Sequence, residues 1–303
     1  MRITNAMTIN NFMHNISISS SDIHKYQNQI QTGKLYKYAS EAPIAAAKSI
    51  RYKSRITQLE QNNENIEDAN ELLKVTDSAL QSYDDILSRI SELTSQAANG
   101  TYGEPEREAI SVELEQLKSE IISLANTKYN GRYIFSGYKT DKPLLKEDGT
   151  YNIDVITTGD DKESINYSIG FGSKLQVNTL GPDIFGGSGK EGDDSGIVAN
   201  INDLIQALKE ANTEKILDCG AKIENNLQIS VDARADVGGR MNRLELTKNR
   251  VENSVANLEE ALSINDDADY TEAVTKWTSA KSIYQASLAT GSKVLQISLL
   301  DYL

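Results

Sequence analysis

The chain has 303 residues, a formal net charge of −13 and a single cysteine. This charge repels the phosphates of nucleic acid and of anionic lipid, and no apolar run reaches the roughly 18 residues that a membrane span needs. We therefore predict no nucleic-acid partner and no membrane insertion, and the lone Cys219 cannot form an intramolecular disulfide.

The N-terminal segment, residues 1–48, is predicted to hold an amphipathic helix with a thin apolar stripe. The stripe follows one heptad seam that stops at Gly33 and consists of Ile9, Phe12, Ile16, Ser19, Ile23, Tyr26 and Ile30. Polar side chains fill the other positions, so the stripe alone does not offset a backbone entropy of roughly 1–2 kcal/mol per ordered residue. We expect this segment to be disordered in the monomer and to order against neighbouring chains.

A sustained heptad seam predicts a long helix in the next segment. From Tyr52, every seventh residue continues the seam through Leu59, Ile66, Leu73, Leu80, Leu87 and Thr94. Asn99-Gly100 predicts a turn after this helix. Glu104-Pro105-Glu106 predicts the start of another, because proline is tolerated in a first turn and acids favour the positive end of the helix dipole. Two antiparallel helices are expected.

The helical period fades between Lys139 and Ser195. Tyr151–Ile156 and Ile165–Phe171 carry β-forming residues between turn signals, and the glycine-rich run Gly186–Asp194 is typical of a mobile surface loop. Residues 139–196 are therefore predicted to form a small β-rich insert.

A second long seam follows the insert. Its members alternate steps of three and four through Ile216, Ile223, Leu227, Val237, Met241, Leu244, Val251, Val255, Leu258 and Leu262. Because an isolated apolar stripe cannot bury itself in water, we expect residues 49–138 and 197–262 to pack together as one discontinuous bundle. The predicted fold class is mainly α: an elongated helical bundle or coiled coil built from the N- and C-terminal halves, with an inserted β-rich domain.

The C-terminal segment, residues 263–303, is predicted to be a further thin amphipathic helix. Its apolar line consists of Ala273, Trp277, Tyr284, Leu288 and Leu295.

The sequence supplies little for chemistry. His14 and His24 are its only histidines, so zinc ligation and the usual catalytic triads are poorly supported. Residues 187–192 match G-x-G-x-x-G, but acidic neighbours would repel a pyrophosphate. The acid pairs Asp84-Asp85 and Asp266-Asp267 are interpreted as solvated helix faces. We predict no catalytic residue, no cofactor and no metal site.

Three segments carry a resemblance to a known family. They include Met1–Thr4 with Gln31–Lys34 and Ala42–Ala46, then Asn130–Thr140, and finally Ala233–Asn242 with Asp267–Tyr270 and Leu299–Leu303. The first and third resemble the ends of flagellins and hook-associated proteins. The second, Asn-Gly-Arg-Tyr-Ile-Phe-Ser-Gly-Tyr-Lys-Thr, resembles the hook-associated protein 3 family rather than flagellin. Ala39–Pro43 departs from the acidic Pro-Ser-Asp-Asp-Pro pattern that is usual in the first segment.

The resemblance implies a structural adaptor at the junction of flagellar hook and filament. It would be exported by the flagellar type III apparatus and its chaperone, and it would lie outside the cell. The residues at the start of the chain lack the pattern of a cleaved signal peptide. The implied partners are hook-associated protein 1, flagellin and copies of the chain in a ring. The expected assembly interface consists of Ile9, Phe12, Ile16, Ile23, Tyr26, Ile30, Trp277, Tyr284, Leu288 and Leu295.

Two alternatives remain open from the sequence alone. Heptad seams are equally typical of an unrelated coiled-coil protein, and the two ends are shared with flagellin itself, a filament subunit. An enzyme is disfavoured because the sequence offers no constellation of catalytic groups.

Overall fold

The computed structural model describes residues 5–98, 103–157, 162–170 and 172–300. Within these ranges the helices are α1 Asn5–Thr32, α2 Pro43–Ala98, α3 Glu104–Ala125, α4 Gly181–Phe185, α5 Gly196–Lys209, α6 Thr213–Asp266 and α7 Tyr270–Leu300. The strands are β1 Lys128–Tyr129, β2 Arg132–Tyr133, β3 Asn166–Gly170 and β4 Ser173–Gln176. The predicted class, mainly α with a small β insert, is confirmed.

The chain divides into two compact units. Unit 1 consists of residues 1–58 and 253–303, and unit 2 consists of residues 59–252. Helices α2 and α6 contribute residues to both. The functional division into assembly ends, bundle and insert stays a prediction.

Unit 2 is built on the seam that the sequence predicts. Leu59, Ile66, Leu73, Leu80 and Leu87 are each at most 1% exposed. On the opposing face of α6, Ile223, Val237, Leu244 and Val251 are also at most 1% exposed. Apolar residues at heptad spacing become buried in this way when the apolar stripes of two helices pack against each other.

Ion pairs fix the register of α2 and α6 within unit 2. Arg234 Nη1 lies 2.9 Å from Asp84 Oδ2 and its Nε lies 3.2 Å from Asp77 Oδ1, while Lys248 Nζ lies 2.8 Å from Glu67 Oε1. Partner numbers fall on α2 as they rise on α6, so the helices are antiparallel. Asp84 is buried, and the interpretation of this acid as part of a solvated face was wrong.

Helix α3 begins as predicted, with Pro105 in its first turn beside Glu104 and Glu106. Arg89 Nε of α2 lies 2.8 Å from Glu113 Oε1 of α3. Helix α5 packs on α3 and buries Ile201 and Leu204 completely. The predicted turn at Asn99-Gly100 lies outside the described residues.

The insert differs in part from its prediction. β3 pairs with β4 as an antiparallel hairpin, close to the predicted strand Ile165–Phe171, whose Phe171 lies outside the described residues. Tyr151–Ile156 is not a strand; it contributes only an isolated bridge between Tyr151 and Leu145. The predicted mobile loop is held to this segment, since Tyr151 N donates to Asp193 O at 2.8 Å and Val155 N donates to Gly189 O at 2.8 Å.

Aromatic packing joins the insert to the helices of unit 2. The ring of Phe185, in α4, lies edge-on to Tyr83 of α2 with a centroid distance of 5.1 Å, and to Phe135 at 5.5 Å. Burial raises the pKa of the Tyr83 hydroxyl far above its ordinary value, so this group stays protonated. The insert therefore shares the core of unit 2.

Unit 1 has a much thinner core. Its buried apolar residues in the described ranges are Ala46, Ile56 and Ala273. The α6 seam is only half-buried here, at Val255, Leu258 and Leu262. Little apolar surface is thus removed from water within unit 1.

Candidate assembly interface

Helices α1 and α7 pack against each other in unit 1 and run antiparallel. The end of α1 adjoins the start of α7, because Ala268 N donates to Gly33 O at 2.8 Å and Lys34 forms an antiparallel bridge with Asp267. Towards the other end of the pair, the Phe12 ring lies directly against Gly291. A Cβ at Gly291 would collide with this ring, so glycine permits the close approach.

The α1 seam faces inward in this pair. Five of the six residues predicted on α1 are half-buried, namely Phe12, Ile16, Ile23, Tyr26 and Ile30. Ile9 is 38% exposed. His14 and His24 lie on the exposed side of the helix.

The α7 seam runs through smaller residues than the sequence suggested. The half-buried or buried positions follow heptad spacing at Ala273, Trp277, Ala280, Tyr284, Ser287 and Gly291. Trp277 and Tyr284 therefore belong to the inward face. Leu288 does not, since it is 44% exposed and Ser287 takes the seam position. The side chain of Leu295 lies outside the described residues.

Trp277 carries an unsatisfied donor. Its Nε1 is buried and has no hydrogen-bond acceptor among the described residues, and Lys281 Nζ lies 5.0 Å from the ring centroid. A buried donor without an acceptor costs about 1–3 kcal/mol.

The outer faces of the pair also carry apolar side chains. The exposed fractions are 60% for Met13, 48% for Ile18, 56% for Ile283 and 44% for Leu288. Exposed apolar residues that cluster on one element are typical of protein–protein contact. The α1–α7 pair is thus apolar both between its helices and on its outside.

A polar clamp anchors the pair at the turn between α6 and α7. Buried Asp266 accepts hydrogen bonds from Tyr36 Oη at 2.7 Å, Ser49 Oγ at 2.6 Å and Asn265 Nδ2 at 2.8 Å. Lys53 Nζ lies 3.6 Å from the same carboxylate. The clamp therefore joins the segment after α1, the start of α2 and the end of α6.

The electrostatics of the clamp favour ionised carboxylates. Burial opposes ionisation of Asp266, but hydrogen bonds from Ser49, Tyr36 and Asn265 outweigh it, and the pKa is lowered. The hydrogen bond to Asp266 raises the pKa of Tyr36. Hydrogen bonds from Lys34 and Ser263 lower the pKa of Asp267.

The solvated-face interpretation was thus wrong for Asp266 as well. Its partners Tyr36 and Ser49 lie 230 and 217 residues away in the sequence, so no local spacing could reveal them.

The described residues contain no group of His, Cys, Asp and Glu that could hold a metal ion. No helix in the described ranges is long and apolar enough to cross a bilayer.

Comparisons with known proteins agree with this picture. The model of the bacterial flagellin N-terminal helical region matches residues 3–140, and that of the C-terminal helical region matches residues 221–303. Flagellar hook-associated protein 3 of Escherichia coli is 26% identical over 99% of this chain and 98% of its own length. Flagellin of Bacillus subtilis is 29% identical over 95% of this chain and 94% of its own.

Solved structures give the same fold. FlgL of Bacillus cereus superposes with a TM-score of 0.58 at 26% identity, over 70% of this chain and 99% of that one. The flagellar junction protein FlgL of Legionella pneumophila gives 0.57 at 18% identity, over 73% and 99%. Since the two flagellin models together match well over half of the sequence, the chain belongs to the flagellin superfamily, with relatives of the hook-associated protein 3 type along nearly its whole length.

Proposed function

We propose that the chain is a structural adaptor at the junction of flagellar hook and filament. The observation that carries this proposal is the α1–α7 pair, whose outer faces expose Met13, Ile18, Ile283 and Leu288. Relatives named as hook-associated or junction proteins support the location. Export through the type III apparatus with its chaperone, without a cleaved signal, is part of the same proposal.

In this function the two chain ends are the assembly elements. Residues 1–48 and 263–303 occupy one position in an axial tube, with hook-associated protein 1 below, flagellin above and copies of the chain beside them in a ring. Residues 49–138 and 197–262 form the supporting bundle, and residues 139–196 the insert. Unlike surfaces meet at each contact, because an interface between two identical patches would close as a dimer and stop growth.

Disorder of residues 1–48 and 263–303 in the monomer is part of this proposal. Phe12 and Trp277 are only half-buried in the pair that the single chain forms, so little apolar surface stabilises that pair until neighbouring chains cover its outer faces. Limited proteolysis tests it: cleavage before residue 49 and after residue 262, with unit 2 spared, supports disorder, and resistant ends contradict it.

A filament subunit is the second candidate, because the flagellin of Bacillus subtilis is as similar to the chain as its hook-associated relatives are. Immunogold labelling of purified flagella separates the two. A single band between hook and filament is the expected result. Labelling along the filament would establish the second candidate instead.

A further inference from the structure

The first turns of α2 carry a basic stripe on an exposed helix face. Ile44, Lys48, Arg51 and Arg55 follow spacings of four, three and four residues, so their side chains share one side of the helix. All four are exposed, Ile44 at 76%. No acidic residue occurs between Glu41 and Glu60. We call these four residues the basic stripe.

The cations of the basic stripe lack carboxylate partners. Lys48 and Arg51 form no ion pair among the described residues, and Arg55 Nη1 binds only the side-chain oxygen of Gln58, at 2.5 Å. The neighbouring Lys53 lies on the other side and contacts Asp266. Although the chain as a whole is acidic, unit 1 therefore carries a positive helix face that no carboxylate of the described residues neutralises.

Helix α3 in unit 2 carries a stripe of matching length and opposite charge. Glu104, Glu108, Val112 and Glu115 share one face, are all exposed, and form no ion pair within the described ranges. We call these four residues the acidic stripe. Each stripe covers twelve residues, or eleven steps of 1.5 Å and a length of about 16 Å, and each includes an exposed apolar side chain, with Val112 at 54%.

We propose that the basic stripe of one copy docks on the acidic stripe of a second copy of this chain. With the two helices antiparallel, Arg55 meets Glu104 and Arg51 meets Glu108, while Lys48 reaches Glu115 and Ile44 packs near Val112. The contact is heterologous, because α2 of one copy meets α3 of the next, and it therefore propagates from copy to copy. Unit 2 carries the whole negative charge excess of the chain, so long-range attraction also steers a positive face towards it.

The inference rests on the proposed function only in that copies of the chain adjoin one another. Its test is sedimentation velocity of the full-length chain at ionic strengths of about 0.01 M and 1 M, where the Debye length is about 30 Å and 3 Å. We expect concentration-dependent association at the lower value and monomer at the higher one. A chain that stays monomeric at about 0.01 M overturns the proposal.

Charge reversal makes the test specific. The variant K48E/R51E/R55E and the variant E104K/E108K/E115K should each associate at least about tenfold more weakly at low salt, since three attractive pairs become repulsive. An equal mixture of the two restores opposite charges at both contacts and should recover association. Failure of the mixture to recover it overturns the proposal.

A matched control removes the effect of net charge. K74E/K146E/K174E makes the same change on three exposed lysines of unit 2 outside both stripes, and it should associate as the wild type does. Equal loss of association in this control would overturn the proposal. Circular dichroism of every variant verifies that the helices remain folded. Junction labelling with failed recovery in the mixture would refute the stripe contact alone, whereas filament labelling with recovery would refute the junction alone.

Discussion

Unit 2 buries its apolar side chains, whereas unit 1 exposes many of them. The large apolar residues that unit 1 exposes in the described ranges are Met7, Ile9, Met13, Ile18, Leu35, Tyr38, Ile44, Ile50, Ile264, Tyr270, Ile283 and Leu288. Unit 2 is longer but exposes fewer, and it contains almost the entire apolar core. The comparison indicates that unit 2 is stable by itself and that unit 1 offers surface for other chains to cover.

The largest effect is expected from a charge on the outer face of the α1–α7 pair. Leu288→Asp places a carboxylate where we propose that neighbouring chains pack, and an unpaired buried charge is strongly unfavourable. Because Leu288 is 44% exposed in one chain, the folded monomer should tolerate the change. We expect hooks without filaments in electron micrographs, and unpolymerised flagellin in the medium.

Leu246→Asp is the matched control for this variant. Leu246 is 72% exposed on unit 2, outside the proposed interface. Filaments of normal length are expected with this control. Normal filaments with Leu288→Asp as well would rule out the outer face of α7 as an assembly surface.

A pair of leucine truncations compares the two units by stability. Leu73 is completely buried in unit 2, so Leu73→Ala should lower the free energy of unfolding by about 2–5 kcal/mol. Leu288→Ala in unit 1 should lower it by less than about 1 kcal/mol, because much of that side chain is already in water. Urea denaturation followed by circular dichroism gives both values. Equal losses would contradict the contrast in packing.

A smaller effect is expected at the clamp. Ser49→Ala removes the hydroxyl that donates to Asp266 Oδ2 at 2.6 Å and should cost about 1–2 kcal/mol. The loss should appear as faster amide hydrogen exchange in α1 and α7, with exchange in unit 2 unchanged. Ser82→Ala is the control, since the Ser82 hydroxyl is exposed and bonds only its own helix. Unchanged exchange in Ser49→Ala would show that the clamp does not hold the pair.

Acid should weaken the clamp gradually. The pKa values of Asp266 and Asp267 are lowered in the folded chain, so their stabilisation is present above the ordinary aspartate pKa of about 3.9 and is lost as pH falls through the folded values. Between about pH 5 and pH 2, the amide protection factors in α1, corrected for the intrinsic exchange rate at each pH, should fall in the wild type. Asp266→Asn should flatten this dependence, and an unchanged slope would remove Asp266 as its source.

Helix faces that follow from a repeating residue spacing were predicted correctly. Features that depend on small residues, or on contacts between residues far apart in the sequence, were missed. The seam from Leu59 to Leu87 was correct because seven-residue spacing directly determines one helix face. The hairpin of β1 and β2 was missed, although Asn130 and Gly131 adopt positive φ values of 47° and 77°, which an Asn-Gly turn favours.

The small residues of α7 were also missed. Close approach of α1 to α7 depends on Ser287 and Gly291, which an apolar pattern does not reveal, while Leu288 stays a proposed assembly residue on the outer face. The Asp266 clamp was missed because hydrogen bonds across more than 200 residues leave no periodic signal. Whether a polar side chain is buried depends on its tertiary contacts, so the amino-acid composition cannot predict it.

The hydrogen bond from Ala268 N to Gly33 O also determines when α1 can pack during synthesis and folding. Translation releases α1 first, but the residues that clamp and cover it come more than 230 positions later. Such a contact is formed late in folding, because the intervening loop must close before the contact is gained. During synthesis α1 therefore lacks the helix that covers its apolar seam, and the α1–α7 pair can form only after α7 has been made.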